Sequence, residues 1–346
     1  MKIKWGVIGC GGIAYRRTIP GMMLSENSEL VAVMDTNLEI AEKVQKEFGI
    51  KYAFDKELDL LALEEIDAVY IATPVFCHKE QAILAAQAKK HILLEKPMGL
   101  TLSESAEIAE LCRKNGVKLG VGLMMRFSAY HQKMKELIQE GVLGTIVSMR
   151  AQLTCWYPEI PDNWRQDKAR SGGGALMDMG IHCVDLLQYI SGTKAETVTC
   201  FAQNQTFSYS AEDSAGLLMK MDNGAIGYVD ANFNIPDNAA NCRLEFYGTK
   251  GSILAEGTIG QEDKGNVTLT ISDDEAEYNA QQNRETNGSQ ALTVDTGNMY
   301  EKEISAFANA IINDTEPVIT AEDGIFVQKI IESAYKSSDT GVCVKL

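Results

Sequence analysis

The chain has 346 residues, 45% of them hydrophobic and 23% charged, an ordinary globular balance. Its formal net charge of −16 argues against non-specific binding to nucleic acid or to an anionic membrane surface, because both need a basic face. No run approaches the roughly 18 apolar residues of a membrane span, and the apolar run before Cys10 is too short for a signal core.

This length suits two domains of about 100–200 residues each. The eight cysteines are scattered and show no C-x-x-C spacing, so they read as reduced thiols of a cytoplasmic protein, not as a zinc site or a disulfide framework.

Lys4 to Ile8 is an apolar, β-branched run suited to a buried strand, and it leads into Gly9-Cys10-Gly11-Gly12-Ile13-Ala14. That segment fits G-x-G-x-x-A. The first glycine permits the tight turn, the second lets a pyrophosphate approach the backbone, and the small last residue lets helix pack on strand. Leu30 to Met34 reads as a second strand ending in Asp35. An acid there, about 20 residues past the motif, is placed to meet the adenosine ribose hydroxyls. A carboxylate accepts from a free 2′-hydroxyl and repels a 2′-phosphate, and Thr36-Asn37 supply no arginine. The cofactor expected is therefore NAD in preference to NADP.

Alternation continues with a helix over 38–48 stopped by Gly49, a short strand over 51–53, and a strand over 68–72 running into Thr73-Pro74. A helix over 76–88 carries His78, which stands either near the ligand or at a helix start. A strand over 91–94 ends at Glu95-Lys96-Pro97, a helix over 103–115 has Ser103 as its expected N-cap, and a sixth strand covers 117–121. Strand and helix alternating in this way predict a doubly wound parallel sheet. Gly9, Gly11, Gly12, Asp35, Thr73, Pro74 and Lys96 all fall at strand carboxyl ends, where such sheets bind ligands.

The pattern changes after residue 123. A helix over 126–140 and strands over 145–154, 198–202, 214–221, 225–233 and 242–247 predict an α+β domain with an open, mostly antiparallel sheet, Asn223-Gly224 forming one hairpin turn. The span 275–298 is polar and reads as a long loop or irregular hairpin; helices follow over 299–312 and 321–337. The predicted division is residues 1–123 for nucleotide binding and 124–346 for substrate binding and oligomerisation.

Ser171 to Asp185 carries three glycines and then a helical pattern. Asp178, His182 and Asp185 share one face by spacing, and Cys183 faces away from His182. Gly180 inside the pattern suggests close approach of a backbone or ligand, since a mid-helix glycine costs roughly 1 kcal/mol. Asp178 and His182 are read as handling a proton, and Asp185 as structural. A metal on this face would lack a further ligand, so no metal is expected.

Together Gly9–Ala14, Glu95-Lys96-Pro97, Trp164-Arg165 and Gly172-Gly173-Gly174 with Asp178-x-Gly180-x-His182-x-x-Asp185 resemble the Gfo/Idh/MocA oxidoreductase family, in the family's order. The resemblance implies a Rossmann domain followed by an α/β domain whose open sheet forms the interface of a homodimer or homotetramer. It implies catalytic roles for Lys96, Asp178 and His182, and less securely matched pocket positions at Arg126, Trp164 and Arg165. Glu95, Ile13 and Ala14 join the cofactor-binding set. The implied reaction moves a hydride between NAD(P) and a secondary alcohol or ketone of a sugar, sugar derivative or cyclitol. Histidine suits a general base near neutral pH, Lys96 favours a developing alkoxide, and Asp178 orients the imidazole. Whether Lys96 or His182 carries the transferred proton stays open. Two other functions share these features: a glycoside hydrolase that oxidises a sugar carbon transiently with bound NAD, and a non-catalytic dinucleotide sensor, which the retained Lys96, Asp178 and His182 disfavour.

Overall fold

The computed structural model describes residues 1–272, 280 and 288–346. They divide into two units. The first comprises Met1–Phe127, Pro161–Gly173 and Asn298–Glu332; the second comprises Ser128–Ile160, Gly174–Gly297 and Ser333–Leu346.

In the first unit β1 (Ile3–Ile8), β2 (Ser28–Met34), β3 (Tyr52–Phe54), β4 (Ala68–Ile71), β5 (His91–Glu95) and β6 (Leu119–Gly122) form one parallel sheet in the order β3-β2-β1-β4-β5-β6. This is the doubly wound parallel sheet predicted, and its order reverses between β1 and β4, where ligands bind in such sheets. The central strands are apolar on both faces because helices cover both; Trp5, Val7, Val69 and Ile71 are all buried. The helix Leu38–Phe48 starts at Asn37, whose side chain accepts the Glu39 N–H, and stops at left-handed Gly49. Helix Leu102–Asn115 corrects one expectation. Thr101, not Ser103, is its N-cap and accepts the Glu104 N–H at 3.2 Å.

A single cut after Leu123 does not describe this division. The helix Met299–Ile312 returns to the first unit. Its Phe307 ring lies 5.7 Å from that of Trp5, and a Cβ on Gly120 of β6 would stand 2.7 Å from Phe307. The glycine in β6 is therefore a seat for that ring.

The second unit holds a nine-stranded sheet. Its strands are β7 (Ile146–Thr154), β8 (Ala195–Gln203), β9 (Ser214–Met221), β10 (Ile226–Asn232), β11 (Arg243–Gly248), β12 (Gly251–Glu256), β13 (Asn266–Ile271), β14 (Ser289–Ala291) and β15 (Val344–Lys345), in the order β14-β13-β12-β11-β7-β10-β9-β8-β15. β7 and β10 pair parallel and the other neighbours antiparallel. The hairpin at Asn223-Gly224 joins β9 to β10, with Gly224 at φ 88°. Alternation decides the faces: Leu217, Met219, Val229 and Ala231 are buried, whereas Leu218 and Tyr228 are exposed. The register sets Leu218, Tyr228, Arg150, Glu245 and Leu254 in one row across the open face. Helices Ala129–Gln139 and Ile181–Ser191 pack together, the latter against β7. Half of the loop or hairpin expected over 275–298 lies outside the described residues; β14 is its described strand. Among the described residues, no helix is long and apolar enough to cross a membrane.

Candidate functional site

In the first unit, Gly9 takes φ 83°, and a Cβ there would stand 2.7 Å from Thr73 Cγ2 and 2.9 Å from the Thr73 nitrogen. Glycine is needed twice over, for the turn and for the approach of β4. The Gly9 and Cys10 N–H groups donate to Met34 O at 2.9 and 3.1 Å, which holds the loop against the end of β2. A Cβ on Gly11 would lie 3.4 Å from Asp35 Oδ2, so this carboxylate borders the glycine loop. Its Oδ1 accepts the Asn37 N–H at 3.1 Å. Gly12 has φ 49° and open space beside it. From Ile13 the chain enters a π-helical turn, Ala14–Thr18, which continues as the helix Ile19–Leu24; Ala14 is buried. Open backbone at the loop with a carboxylate beside it fits the pyrophosphate and ribose of a dinucleotide.

Thr73, Pro74, Glu95 and Lys96 stand at the ends of β4 and β5 as expected. The Thr73 hydroxyl donates to Gln81 Oε1 at 2.6 Å. His78 departs from a ligand-binding role. It is 1% exposed, with Nδ1 2.9 Å from Pro97 O and Nε2 2.9 Å from Thr73 O. Both ring nitrogens face backbone carbonyls, one in the loop after β4 and one in the loop after β5, and the neutral ring donates its single N–H to one of them. Burial pushes its pKa down to about 4.

Glu95 is turned inward. Its Oε1 accepts from the Tyr70 hydroxyl, and its Oε2 from the Lys96 N–H at 3.2 Å. Burial raises its pKa, against the pull of Tyr70, Lys96 and Arg165. Arg165, by this attraction, belongs near Glu95. Its guanidinium lies 4.3 Å from the Trp164 ring centre, and Trp164 meets Phe76 edge-on at 6.5 Å. The pocket expectation for Arg126 is corrected: it is buried in an ion pair with Asp323, Nη1 to Oδ2 3.3 Å. That pairing holds the Asp323 carboxyl below its ordinary range, against its burial.

In the second unit, the stretch expected as one regular helix opens with a π-helical turn, Leu176–Gly180, and continues as the α-helix Ile181–Ser191. Asp178 is half-buried on the turn; His182 and Asp185 are buried in the helix. Cys183 is fully buried, and burial raises its thiol pKa, so it is no nucleophile. Packing accounts for two of the glycines here. A Cβ on Gly180 would stand 2.7 Å from Leu176 Cδ1 and 3.6 Å from Ala231 Cβ, so protein side chains are what approach it. A Cβ on Gly174 would fall 1.8 Å from Glu212 O, so this glycine serves backbone packing.

Glu212 carries the start of that turn. Its Oε2 accepts the Gly174 N–H at 2.7 Å; its Oε1 accepts the Leu176 N–H at 2.9 Å and the Tyr335 hydroxyl at 2.8 Å. Burial raises its pKa while these donors pull it down. A carboxylate on a helix's first N–H groups satisfies orphan donors and suits the positive end of the dipole. Sequence reading missed both Glu212 and Tyr70. For Tyr70 a signal existed, since a tyrosine inside a buried strand needs a partner for its hydroxyl.

Residues 3–123 match the family model described as an oxidoreductase family with an NAD-binding Rossmann fold, and 131–254 match the GFO/IDH/MocA C-terminal domain. An oxidoreductase, P35, of Formosa agariphila is 32% identical over 260 residues, 73% of this chain and 78% of that protein. The chain belongs to the Gfo/Idh/MocA family. Like other Gfo/Idh/MocA proteins, it is an NAD(P)-dependent oxidoreductase. It is also 28% identical to the 1,5-anhydro-D-fructose reductase of Ensifer adhaerens, across 99% of this chain and 98% of that one. The crystal structure of the aldose-aldose oxidoreductase from Caulobacter crescentus, complexed with glycerol, superposes with a TM-score of 0.90 at 23% identity over the whole of both chains, a likeness of fold.

Proposed function

We propose that this enzyme moves a hydride between NAD and a secondary alcohol or ketone of a sugar, sugar derivative or cyclitol, with Lys96, Asp178 and His182 carrying the proton chemistry. The observation that carries the cofactor reading is Asp35 Oδ2 beside the glycine loop, a carboxylate that favours a free ribose hydroxyl over a phosphate. Bound NAD supplies the hydride acceptor. Lys96 offers N–H donors to the substrate oxygen and favours its alkoxide form. His182 takes the hydroxyl proton in oxidation and returns it in reduction, with Asp178 orienting the imidazole. The names of the reductase and the aldose oxidoreductase support a polyhydroxylated substrate. Trp164 and Arg165 are the pocket residues proposed beside Lys96.

We further infer a homodimer or homotetramer built on the open sheet face, where Phe201, Leu218, Tyr228 and Leu254 are exposed. The eight free cysteines support a reducing, cytoplasmic compartment. The test is NADH absorbance across a panel of sugars, inositols and sugar acids with NAD and NADP compared, alongside light scattering for mass. Net NADH formation is expected. Cleavage of an aryl glycoside without net NADH would overturn the reading in favour of a hydrolase. Lys96→Ala and His182→Ala should each lower kcat on the order of 10²-fold while dinucleotide binding persists; near-normal turnover in both would remove the assigned roles.

A further inference from the structure

We propose that Tyr70 is a positioning residue for Lys96: its buried hydroxyl fixes Glu95, and Glu95 fixes the peptide from which the Lys96 side chain departs. The inference rests on the reading of Lys96 as catalytic. Tyr70 lies in the middle of the sheet on β4 and is fully buried. Its neighbours Val69 and Ile71 are apolar, and phenylalanine would fill the same space without burying a hydroxyl. That hydroxyl is used on both sides. It accepts from the Thr18 hydroxyl at 3.0 Å and donates to Glu95 Oε1. The other Glu95 oxygen accepts the Lys96 N–H at 3.2 Å. Thr18 ends the helical turn that follows the glycine loop. One hydroxyl therefore joins the dinucleotide segment to the peptide that leads into Lys96.

A buried carboxylate without such a donor has no solvent to satisfy it and turns to whatever donor it can reach. Removing the Tyr70 hydroxyl frees Glu95 to rotate and loosens the Lys96 N–H. A displacement of about 1 Å at a catalytic group can lower a rate by up to about 10²-fold. The effect should fall on turnover, because Tyr70 is fully buried and acts only through Glu95.

The experiment compares the parent, Tyr70→Phe, Lys96→Met and the double variant as full chains. Turnover is followed by NADH absorbance with 1,5-anhydro-D-fructose, D-glucose and myo-inositol, and NADH affinity by fluorescence. We expect Tyr70→Phe to lower kcat about tenfold with NADH affinity within twofold, and to have no further effect in the Lys96→Met background, the non-additivity of residues acting as one unit. A second readout needs no substrate. After reductive ¹³C-methylation, the Lys96 resonance, assigned by its loss in Lys96→Met, should move in Tyr70→Phe while other lysine resonances stay. Full turnover in Lys96→Met would remove the underlying reading. Loss in Lys96→Met with parent-like turnover in Tyr70→Phe would overturn the proposal alone. So would an equal fall in both backgrounds, which marks a general structural effect, or an unmoved Lys96 resonance.

Discussion

Glu212 is where a single side chain bears most on the stretch carrying Asp178 and His182. Its two oxygens receive three donors, from Gly174, Leu176 and Tyr335, at 2.7, 2.9 and 2.8 Å. The residue is 7% exposed, so little water can substitute. A hydrogen bond to a charged group contributes about 1.5–3 kcal/mol, and a buried donor left unpaired costs about 1–3 kcal/mol. Glu212→Gln keeps the volume and one acceptor oxygen, but sets an N–H₂ group against a backbone N–H. A loss of about 3 kcal/mol is expected, a large share of a typical total of about 5–15 kcal/mol. Glu212→Ala strands every donor and should lose more; Tyr335→Phe removes one neutral donor and should lose about 1 kcal/mol. Urea unfolding followed by circular dichroism measures each, as a shift of midpoint at unchanged slope. The order Ala, Gln, Phe is the signature. A Glu212→Gln variant within 0.5 kcal/mol of the parent, on the order of ordinary surface substitutions, would refute the reasoning. It would mean that the Gly174 and Leu176 amides find other acceptors.

Three further outcomes are expected. His78 has a folded pKa depressed to about 4 from 6.5, so its contribution is present above pH 6.5 and lost as pH falls toward 4, about 3 kcal/mol across that window; in His78→Gln the stability profile there should flatten, and an unchanged profile would count against a buried neutral imidazole. Glu303 is 2% exposed, and neither of its oxygens has a hydrogen-bond partner among the described residues. Burial raises its pKa well above 4.5, so its proton is retained on folding and the parent should lose stability as pH climbs above 4.5. Glu303→Gln should therefore gain on the parent between pH 4.5 and 7.5 in urea melts, and a gap that stays constant would contradict this. Asp35→Ser should shift kcat/KM from NAD toward NADP by about tenfold, the scale of one charged contact; an unchanged ratio would place the discrimination elsewhere.

The first sheet was legible because its signals are local. Apolar runs, a glycine turn with an acid about 20 residues on, and helix stops at glycine can each be read within a short window. Spacing alone put Asp35 at the end of β2, the same end of the sheet as the glycine loop. What escaped reading depends on partners remote in the chain. Glu212 meets its donors 36, 38 and 123 residues away, and nothing near it in sequence marks it. Gly180 announced close approach, but not of what: the neighbours are Leu176 and Ala231 side chains. Arg126 was placed at the pocket by resemblance, and its ion-pair partner, Asp323, lies too far along the chain for any local pattern to show. The helix over 299–312 was found as a helix, but an amphipathic stripe does not say which sheet it will cover.

That returning helix bears on the order in which the molecule can be made. Synthesis delivers the six parallel strands first, yet the face that holds Trp5 awaits Phe307. Domains generally fold as units, N-terminal first, as the chain emerges. Here the earliest unit to emerge is completed only when Met299–Ile312 has left the ribosome, after nearly all of the second unit. A fragment ending at Leu123 would present Gly120 and Trp5 without their cover, so expression of the nucleotide-binding half alone should give an aggregation-prone product. The chain is one folding transaction from end to end, despite its two sheets.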